Sequence, residues 1–262
     1  MERSAVVTGA ARGIGREVAR RLVLEGYAVV VTDLDADAVR RTASEIGAVD
    51  GLAQDVRDEA SHELVAAAAV RHAPLGVWVN NAGVGYDGTL AQVTSAHVDA
   101  FVDINLKGVA WGMRVALATF GPDGGDIVNI ASASGLGPVP GLSVYAATKA
   151  AVVSLTMSAS LESPRRVRVH ALCPDGVDTA MVEAMRPDGA ARAIVHSSGR
   201  LLTVEEVAAS AVAMVGSRRV VRTLPGWRGG LIRVGALAPS QSSAGFKAFG
   251  LIGRRVMRRR SS

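Results

Sequence analysis

Short runs of β-branched residues alternate with helix-length segments along nearly all of this chain of 262 residues. Ser4–Thr8, Ala28–Thr32, Gly76–Val79, Asp126–Ala131, Val167–Leu172 and Val220–Leu224 read as strands, and Gly51–Ala53 as the weak edge of a third strand in chain order. Between them Gly13–Glu25, Asp37–Ile46, Glu59–His72, Ser95–Leu117, Val144–Leu161 and Val204–Val215 read as helices. Strands joined through a helix return to the same edge of the sheet and run parallel. A parallel sheet is covered on both faces, so its strands are apolar on both sides. The pattern therefore predicts an α/β fold: a doubly wound, seven-stranded parallel sheet with helices on both faces. Two segments break the rhythm. Gly135–Ser143 is a loop with two prolines, and Asp178–Arg200 is a long insertion. Connections beyond the usual short length are often lids or binding loops.

Composition agrees with such a sheet. Apolar residues make up 49% and aromatics 4%, which suits tightly packed Val, Ala and Gly. Cys173 is the sole cysteine, so no disulfide forms within the chain and a reducing compartment is expected. Met1-Glu2-Arg3-Ser4 leads straight into a strand, which leaves no room for a signal peptide, and a cytoplasmic location follows as the expectation. No uncharged apolar run reaches the roughly 18 residues of a membrane span. The scattered histidines lack metal-ligand spacing, so no metal site is expected. Charge is uneven. From Gly216 onward there are 11 Lys+Arg and no Asp or Glu, which leaves 18 basic against 24 acidic residues before it. The expected organisation is one domain over 1–225 and a basic amphipathic extension over 226–262.

Thr8-Gly9-Ala10-Ala11-Arg12-Gly13-Ile14-Gly15 follows the first strand and opens the first helix. Glycines there let backbone amides approach a pyrophosphate, and a helix N-terminus favours negative charge. A turn chosen only for tight packing has the same composition. Asp33 ends the second strand, 18 residues after Gly15. A carboxylate at that point accepts from ribose hydroxyls and repels a 2′-phosphate, which favours NAD; as a helix cap it has a structural role instead. Leu34 sides with NAD, whereas the guanidinium of Arg12 leaves NADP open. Tyr145 and Lys149 stand four residues apart, on one helical face, and Ser132 lies thirteen residues before the tyrosine. An ammonium beside a phenol favours the phenolate, so a lowered tyrosine pKa is expected. A tyrosine of that kind suits proton exchange between an alcohol and a carbonyl.

These motifs occur together and in one order with Asp55-Val56, Asn80-Asn81-Ala82-Gly83 and Asn105. Over Val6 to about Val215 the chain resembles the short-chain dehydrogenase/reductase family, in its compact single-domain branch with a Rossmann-type fold. The resemblance implies hydride transfer between a nicotinamide cofactor and a secondary alcohol or ketone. It implies that Gly9, Arg12, Gly13, Ile14 and Gly15 hold the pyrophosphate and that Asp33 and Leu34 select the adenosine ribose. Asp55 and Val56 would line the adenine, and Asn80, Ala82 and Gly83 would close the strand end beneath the cofactor. Ser132 would bond the substrate oxygen, Tyr145 would pass the proton, and Lys149 would hold the nicotinamide ribose. Asn105 would anchor a water linking the lysine to solvent; bonding to backbone inside a helix is its plain alternative. Val177 and Thr179 would contact the carboxamide. Asp175 replaces the family's glycine between Pro174 and Gly176, which raises the question whether a positive φ is needed there.

The substrate is less constrained. Leu136, Val139, Pro140, Leu142, Met181 and Met185 suggest an apolar wall and hence a hydrophobic or cyclic alcohol or ketone. The tail departs from the family: Val220–Trp227 lacks its acidic position, and Arg228, Arg233, Arg254, Arg255 and Arg258–Arg260 follow, mixed with Phe246 and Phe249. Such a run packs on the acidic body or on a partner subunit, or lies on anionic lipid as a peripheral membrane contact; nucleic acid is the weakest of these readings. Apolar faces on Val109–Leu117 and Ala150–Leu161 exceed what one sheet covers, and the resemblance implies a homodimer or homotetramer through such helices. The competing function is a dinucleotide-binding sensor or scaffold without turnover. A nucleotide-sugar epimerase or dehydratase, from the larger branch of the superfamily, is disfavoured by the glycine spacing and the chain length.

Overall fold

The computed structural model describes residues 2–237 and 250–257. All seven expected strands form: β1 (Ser4–Thr8), β2 (Ala28–Asp33), β3 (Asp50–Ala53), β4 (Leu75–Asn80), β5 (Gly125–Ile130), β6 (Val167–Pro174) and β7 (Val221–Leu224). The helices are α1 (Gly13–Leu24), α2 (Ala36–Ile46), α3 (Glu59–His72), α4 (Ser95–Val102), α5 (Gly108–Thr119), α6 (Ser143–Glu162), α7 (Ala180–Glu183), α8 (Ala190–Val195), α9 (Val204–Val212) and α10 (Gly226–Leu237). The sheet order is β3-β2-β1-β4-β5-β6-β7, parallel throughout. Strand order reverses between β1 and β4, and at such a switch point ligands bind beyond the carboxyl ends of the strands.

Alternation along the strands sorts the core into two layers. Ala5 and Val7 of β1 pack with Val18, Leu22 and Val207 on one side. Val6 packs with Trp78, Met113 and Val152 on the other. Helix starts follow local chemistry. The Asp35 carboxylate accepts from the amides of Asp37 and Ala38 at the start of α2, and Thr203 and Glu206 form a reciprocal capping box at α9. At the amino end of β5, Asp126 is buried and accepts from Arg168 Nε at 2.8 Å and Nη2 at 2.7 Å, from the Gly216 amide at 3.0 Å, and pairs with His170 Nε2 at 3.0 Å. Burial alone would raise this carboxyl. The bonds from Arg168, His170 and Gly216 override it and bring its pKa to about 2.

Two features differ from the sequence reading. The single helix expected over Ser95–Leu117 is divided: α4, a π-helical turn over Asp103–Lys107, then α5. The insertion Asp178–Arg200 is not plain loop, since it holds α7, α8 and a 3₁₀ turn over His196–Ser198. At the start of the tail α10 packs beside β7 and the 3₁₀ turn Ala133–Leu136, with Arg228 3% exposed, in line with the packing reading of that run. Residues 250–257 are helical. Phe246, Phe249 and Arg258–Arg260 lie outside the described residues. Among the described residues α6 alone is long and apolar enough to cross a membrane, yet it packs Val152, Val153 and Ala159 against the sheet.

Candidate active site

The glycine-rich turn closes over the switch point. Gly9 has φ +63°, and a Cβ there would come within 2.7 Å of Ala82 Cα. Only glycine meets both demands. The segment after β4 is stitched to this turn. Asn81 Nδ2 donates to the carbonyls of Thr8 at 2.9 Å and Gly9 at 2.8 Å. Thr8 Oγ1 accepts from the amides of Asn81 and Ala82, both at 3.1 Å. The Asn80 side chain turns the other way, into the core. Its Nδ2 donates to Asn129 Oδ1 at 2.8 Å and its Oδ1 accepts from Trp78 Nε1 at 2.8 Å. Asn129 in turn donates to Thr156 Oγ1 at 2.9 Å. Asn80 therefore supports the cleft floor from beneath and lies outside the cleft lining.

At the far end, Asp33 Oδ2 accepts from the Ala11 amide at 3.0 Å, so β2 and the glycine-rich turn are tied together by the residue expected to face a ribose. Leu34 beside it is 70% exposed. Arg12, Gly13, Ile14, Asp55 and Val56 line the same cleft. Arg57 grips Asp55 at 2.6 Å, and this hydrogen bond holds the Asp55 carboxyl below the usual range.

Near the middle of the cleft, α6 and the end of β5 bring Ser132, Tyr145 and Lys149 to one wall. The Phe101 ring meets the Tyr145 ring edge-on at 6.0 Å between centroids, which fixes the phenol's plane. Burial pushes the Tyr145 hydroxyl up to about 12, and a hydrogen bond with Ser132 pulls the other way. Burial brings Lys149 down to about 8. Its Nζ donates to the Ile130 carbonyl at 2.9 Å and stands 5.7 Å from the centroid of the tyrosine ring. The lowered phenol expected from the sequence is thus not found in the protein by itself. Desolvation of the phenolate outweighs a lysine that is itself buried and turned to a backbone carbonyl. Ser132 Oγ accepts from Ser134 Oγ at 2.8 Å and from the Ser134 amide at 3.2 Å, which holds the hydroxyl at the turn.

Asn105 sits in the π turn, fully buried. Its Nδ2 donates to the Val84 carbonyl at 2.9 Å and its Oδ1 accepts from the Val84 amide at 2.8 Å. Both ends of the amide are engaged with backbone, the plain alternative read for this residue. It remains next to the site: a Cβ on Gly83 would stand 3.1 Å from Asn105 Oδ1 and 3.7 Å from Lys149 Nζ.

Ala82, Gly83, Val177 and Thr179 also line the cleft, whereas Gly15, Asn80 and Asn105 stand behind it. The cleft holds about 820 Å³, the range of sites for ligands of cofactor and small-molecule size. Val139, Leu142, Met181 and Met185 wall it as expected. Leu136 packs into the sheet core instead; Pro138, not Pro140, reaches the cleft. No non-glycine residue among those described has positive φ, so Asp175 replaces a glycine without left-handed backbone. Sequence reasoning passed over Asn81, although it shares a motif with Asn80. It also did not bring Arg228 and Ile232 of α10 to the cleft. The available signal was the coincidence of two departures, Asp175 and a basic tail, in one chain.

A dinucleotide-sized cleft at the switch point of a parallel sheet, with serine, tyrosine and lysine at its centre, defines an α/β oxidoreductase scaffold. The sequence matches the family model described as short chain dehydrogenase over residues 3–190. It is 34% identical over 215 residues to 3-beta-hydroxysteroid dehydrogenase of Comamonas testosteroni, covering 78% of this chain and 85% of that protein. It is 40% identical over 181 residues to sorbitol dehydrogenase of Cereibacter sphaeroides, covering 67% of this chain and 71% of that one. The crystal structure of a short chain dehydrogenase/reductase from Burkholderia phymatum in complex with NAD superposes with a TM-score of 0.78 at 28% identity, covering 88% of this chain and 92% of that chain. The chain belongs to the short-chain dehydrogenase/reductase family. It is a nicotinamide-dependent oxidoreductase acting on the CH–OH group of a small-molecule alcohol or on the corresponding ketone.

Proposed function

We propose that this enzyme interconverts a hydrophobic or cyclic secondary alcohol and its ketone with NAD as the preferred cofactor. The observation that carries the reading is the apolar cluster of Val139, Leu142 and Met185 packed with Tyr145, which lines one cleft together with Met181 and Ser132. The dinucleotide supplies the hydride acceptor or donor when bound. Gly9, Arg12, Gly13 and Ile14 hold its phosphates, with Gly15 packing the turn from behind. Asp33 and Leu34 take the adenosine ribose, and Asp55 and Val56 take the adenine. Ala82, Gly83, Val177 and Thr179 take the nicotinamide end, with Asn80 bracing the strand beneath. NAD is favoured over NADP because a carboxylate and an exposed leucine stand where a 2′-phosphate needs a cation.

In oxidation Tyr145 accepts the substrate's hydroxyl proton as the hydride leaves; in reduction it returns it. Ser132 donates to the substrate oxygen, and preorganised donors of this kind act most strongly where charge develops. Lys149 holds the nicotinamide ribose and steadies the phenolate. Asn105 keeps the Val84 segment at the lysine. The retained trio of Ser132, Tyr145 and Lys149 favours turnover over a sensor role.

Exposed Leu117, Met157 and Leu161 on α5 and α6 support a homodimer or homotetramer through those helices. In the extension, Trp227, Leu231 and Val234 recur at i, i+4 and i+7 and are exposed, as are Leu251 and Ile252. With Arg254 and Arg255 beside them, they support peripheral contact with an anionic membrane. A chain ending at Pro225 should then pellet less than the full chain with anionic vesicles; equal pelleting rejects the contact. The test of the main reading is a steady-state panel of cyclic and acyclic secondary alcohols and ketones with NAD and with NADP. Turnover confined to anionic substrates, or to NADP, overturns it.

A further inference from the structure

The residue that departs from the family next to the nicotinamide segment, Asp175, and a buried arginine of α10, Arg228, are partners. Arg228 Nε lies 2.9 Å from Asp175 Oδ2, with side-chain exposures of 4% and 11%. The same guanidinium donates from Nη2 to Ser197 Oγ at 2.6 Å and more weakly to the Ile194 carbonyl at 3.4 Å. Ser197 Oγ itself donates to the Ile194 carbonyl at 2.6 Å. One side chain therefore joins three segments that are remote in sequence: the turn after β6, the insertion that carries α7 and α8, and α10. Burial pushes the Asp175 carboxyl up, and Arg228 opposes that rise. Removing Arg228 alone would leave a buried carboxylate uncompensated, which is costly, so the pair ties the placement of α10 to that of Asp175.

The consequence reaches the cleft one helical turn later. Ile232 follows Arg228 by four residues on the same face of α10, and both residues line the cleft that holds Tyr145. Opposite Ile232 the chain has Gly137, where a Cβ would meet Ile232 Cγ2 at 2.7 Å. The isoleucine is thus pressed against the loop that follows Ser132, with no room for a side chain between them.

We propose that Arg228 is a positioning residue: through Asp175 and Ser197 it docks α10 over the substrate end of the cleft, where Ile232 limits substrate size. The inference deepens the alcohol/ketone reading and rests on it for the choice of substrates. The latch itself is read without turnover.

The test uses the full chain and three variants, Arg228→Met, Ile232→Ala and the double variant Asp175→Gly/Arg228→Met. Hydrogen exchange of the amides of 229–237 is measured first. Arg228→Met should speed it at least tenfold, and the double variant should stay fast while removing the stranded carboxylate. Exchange within twofold of the parent in both variants overturns the latch. Cyclohexanol and a hydroxysteroid then serve as small and large probes with NAD. Ile232→Ala should raise kcat/KM for the large probe relative to the small one by about tenfold, the effect of a few methylene groups in an apolar pocket. Arg228→Met should raise KM for the probes while kcat holds within about threefold, the mark of lost uniform binding. An unchanged large-to-small ratio in Ile232→Ala overturns the role in substrate size. A parent enzyme that turns over neither these nor any other secondary alcohol sinks the functional reading instead, and exchange alone then decides the latch.

Discussion

Tyr145→Phe removes a single oxygen from the centre of the cleft, and the structure sets the size and pH signature of the loss. The hydroxyl, at a pKa of about 12, lies about two units above a free tyrosine, or about 3 kcal/mol against the phenolate. At pH near 8 only about one phenol in 10⁴ is ionised. Alcohol oxidation needs an acceptor for a proton, so its kcat/KM should climb about tenfold per pH unit wherever this ionisation limits it. Ketone reduction uses the protonated phenol and should stay nearly flat over the same range. The lysine, at about 8, loses its charge partway through that rise and should bend the oxidation profile there. The Phe variant should lose about 10² to 10⁴ in turnover in both directions, the usual share of general acid–base catalysis. It should also lose the slope. The ring and its edge contact with Phe101 survive, so NADH affinity and thermal midpoint should move little. The assay is the appearance or loss of NADH absorbance in steady state, with NADH binding followed separately by fluorescence. A Phe variant with turnover within tenfold of the parent, or with the pH slope intact, refutes the assignment of the proton to Tyr145.

Cofactor choice should follow Asp33. Asp33→Asn/Leu34→Arg keeps an acceptor for the Ala11 amide but replaces repulsion of a 2′-phosphate with attraction, so the NADP-to-NAD ratio of kcat/KM should rise at least tenfold; an unchanged ratio refutes the role. Acid stability should follow Asp126. Its folded pKa, about 2, is below the ordinary carboxylate value, so the stabilisation is fully present above about pH 4 and is lost as pH falls through about 2. Asp126→Asn should destabilise the neutral protein by about 2–3 kcal/mol and flatten that acid limb in denaturant titrations; an equally steep limb shows that other carboxylates carry it.

Much of this molecule was legible in the residues. Six of the seven strands were readable because each is a β-branched run bounded by turn residues; β3, with the sequence DGLA, was readable only as a weak edge from its place in the β-α alternation. Ser132, Tyr145 and Lys149 were readable because fixed spacing on a strand end and a helix face brings them together. What escaped depended on burial and on tertiary partners. Proximity of Lys149 and Tyr145 was correctly expected, but the sign of the phenol's shift was not. That sign depends on how much water the fold removes and on the Ile130 carbonyl that takes the ammonium. Asn80 and Asn81 are identical as letters, and only the pleat decides that one enters the core network while the other crosses to the glycine-rich turn. The tail's composition described charge, while the use of Arg228 depends on a carboxylate more than fifty residues earlier.

The π turn at Asp103–Lys107 has a consequence for how this gene can vary. A regular helix advances about 100° per residue, and a π turn accommodates one residue beyond the regular winding. Deleting one of these five residues would let a continuous helix wind through, and because the turn absorbs the extra residue, α4 and α5 would keep close to their present faces. What would go is the turn itself, and with it the paired bonds between the Asn105 amide and Val84. A lineage that loses a codon here should therefore keep the fold but release the Val84 segment from its place beside Lys149, whereas substitution at exposed positions of α4 costs little.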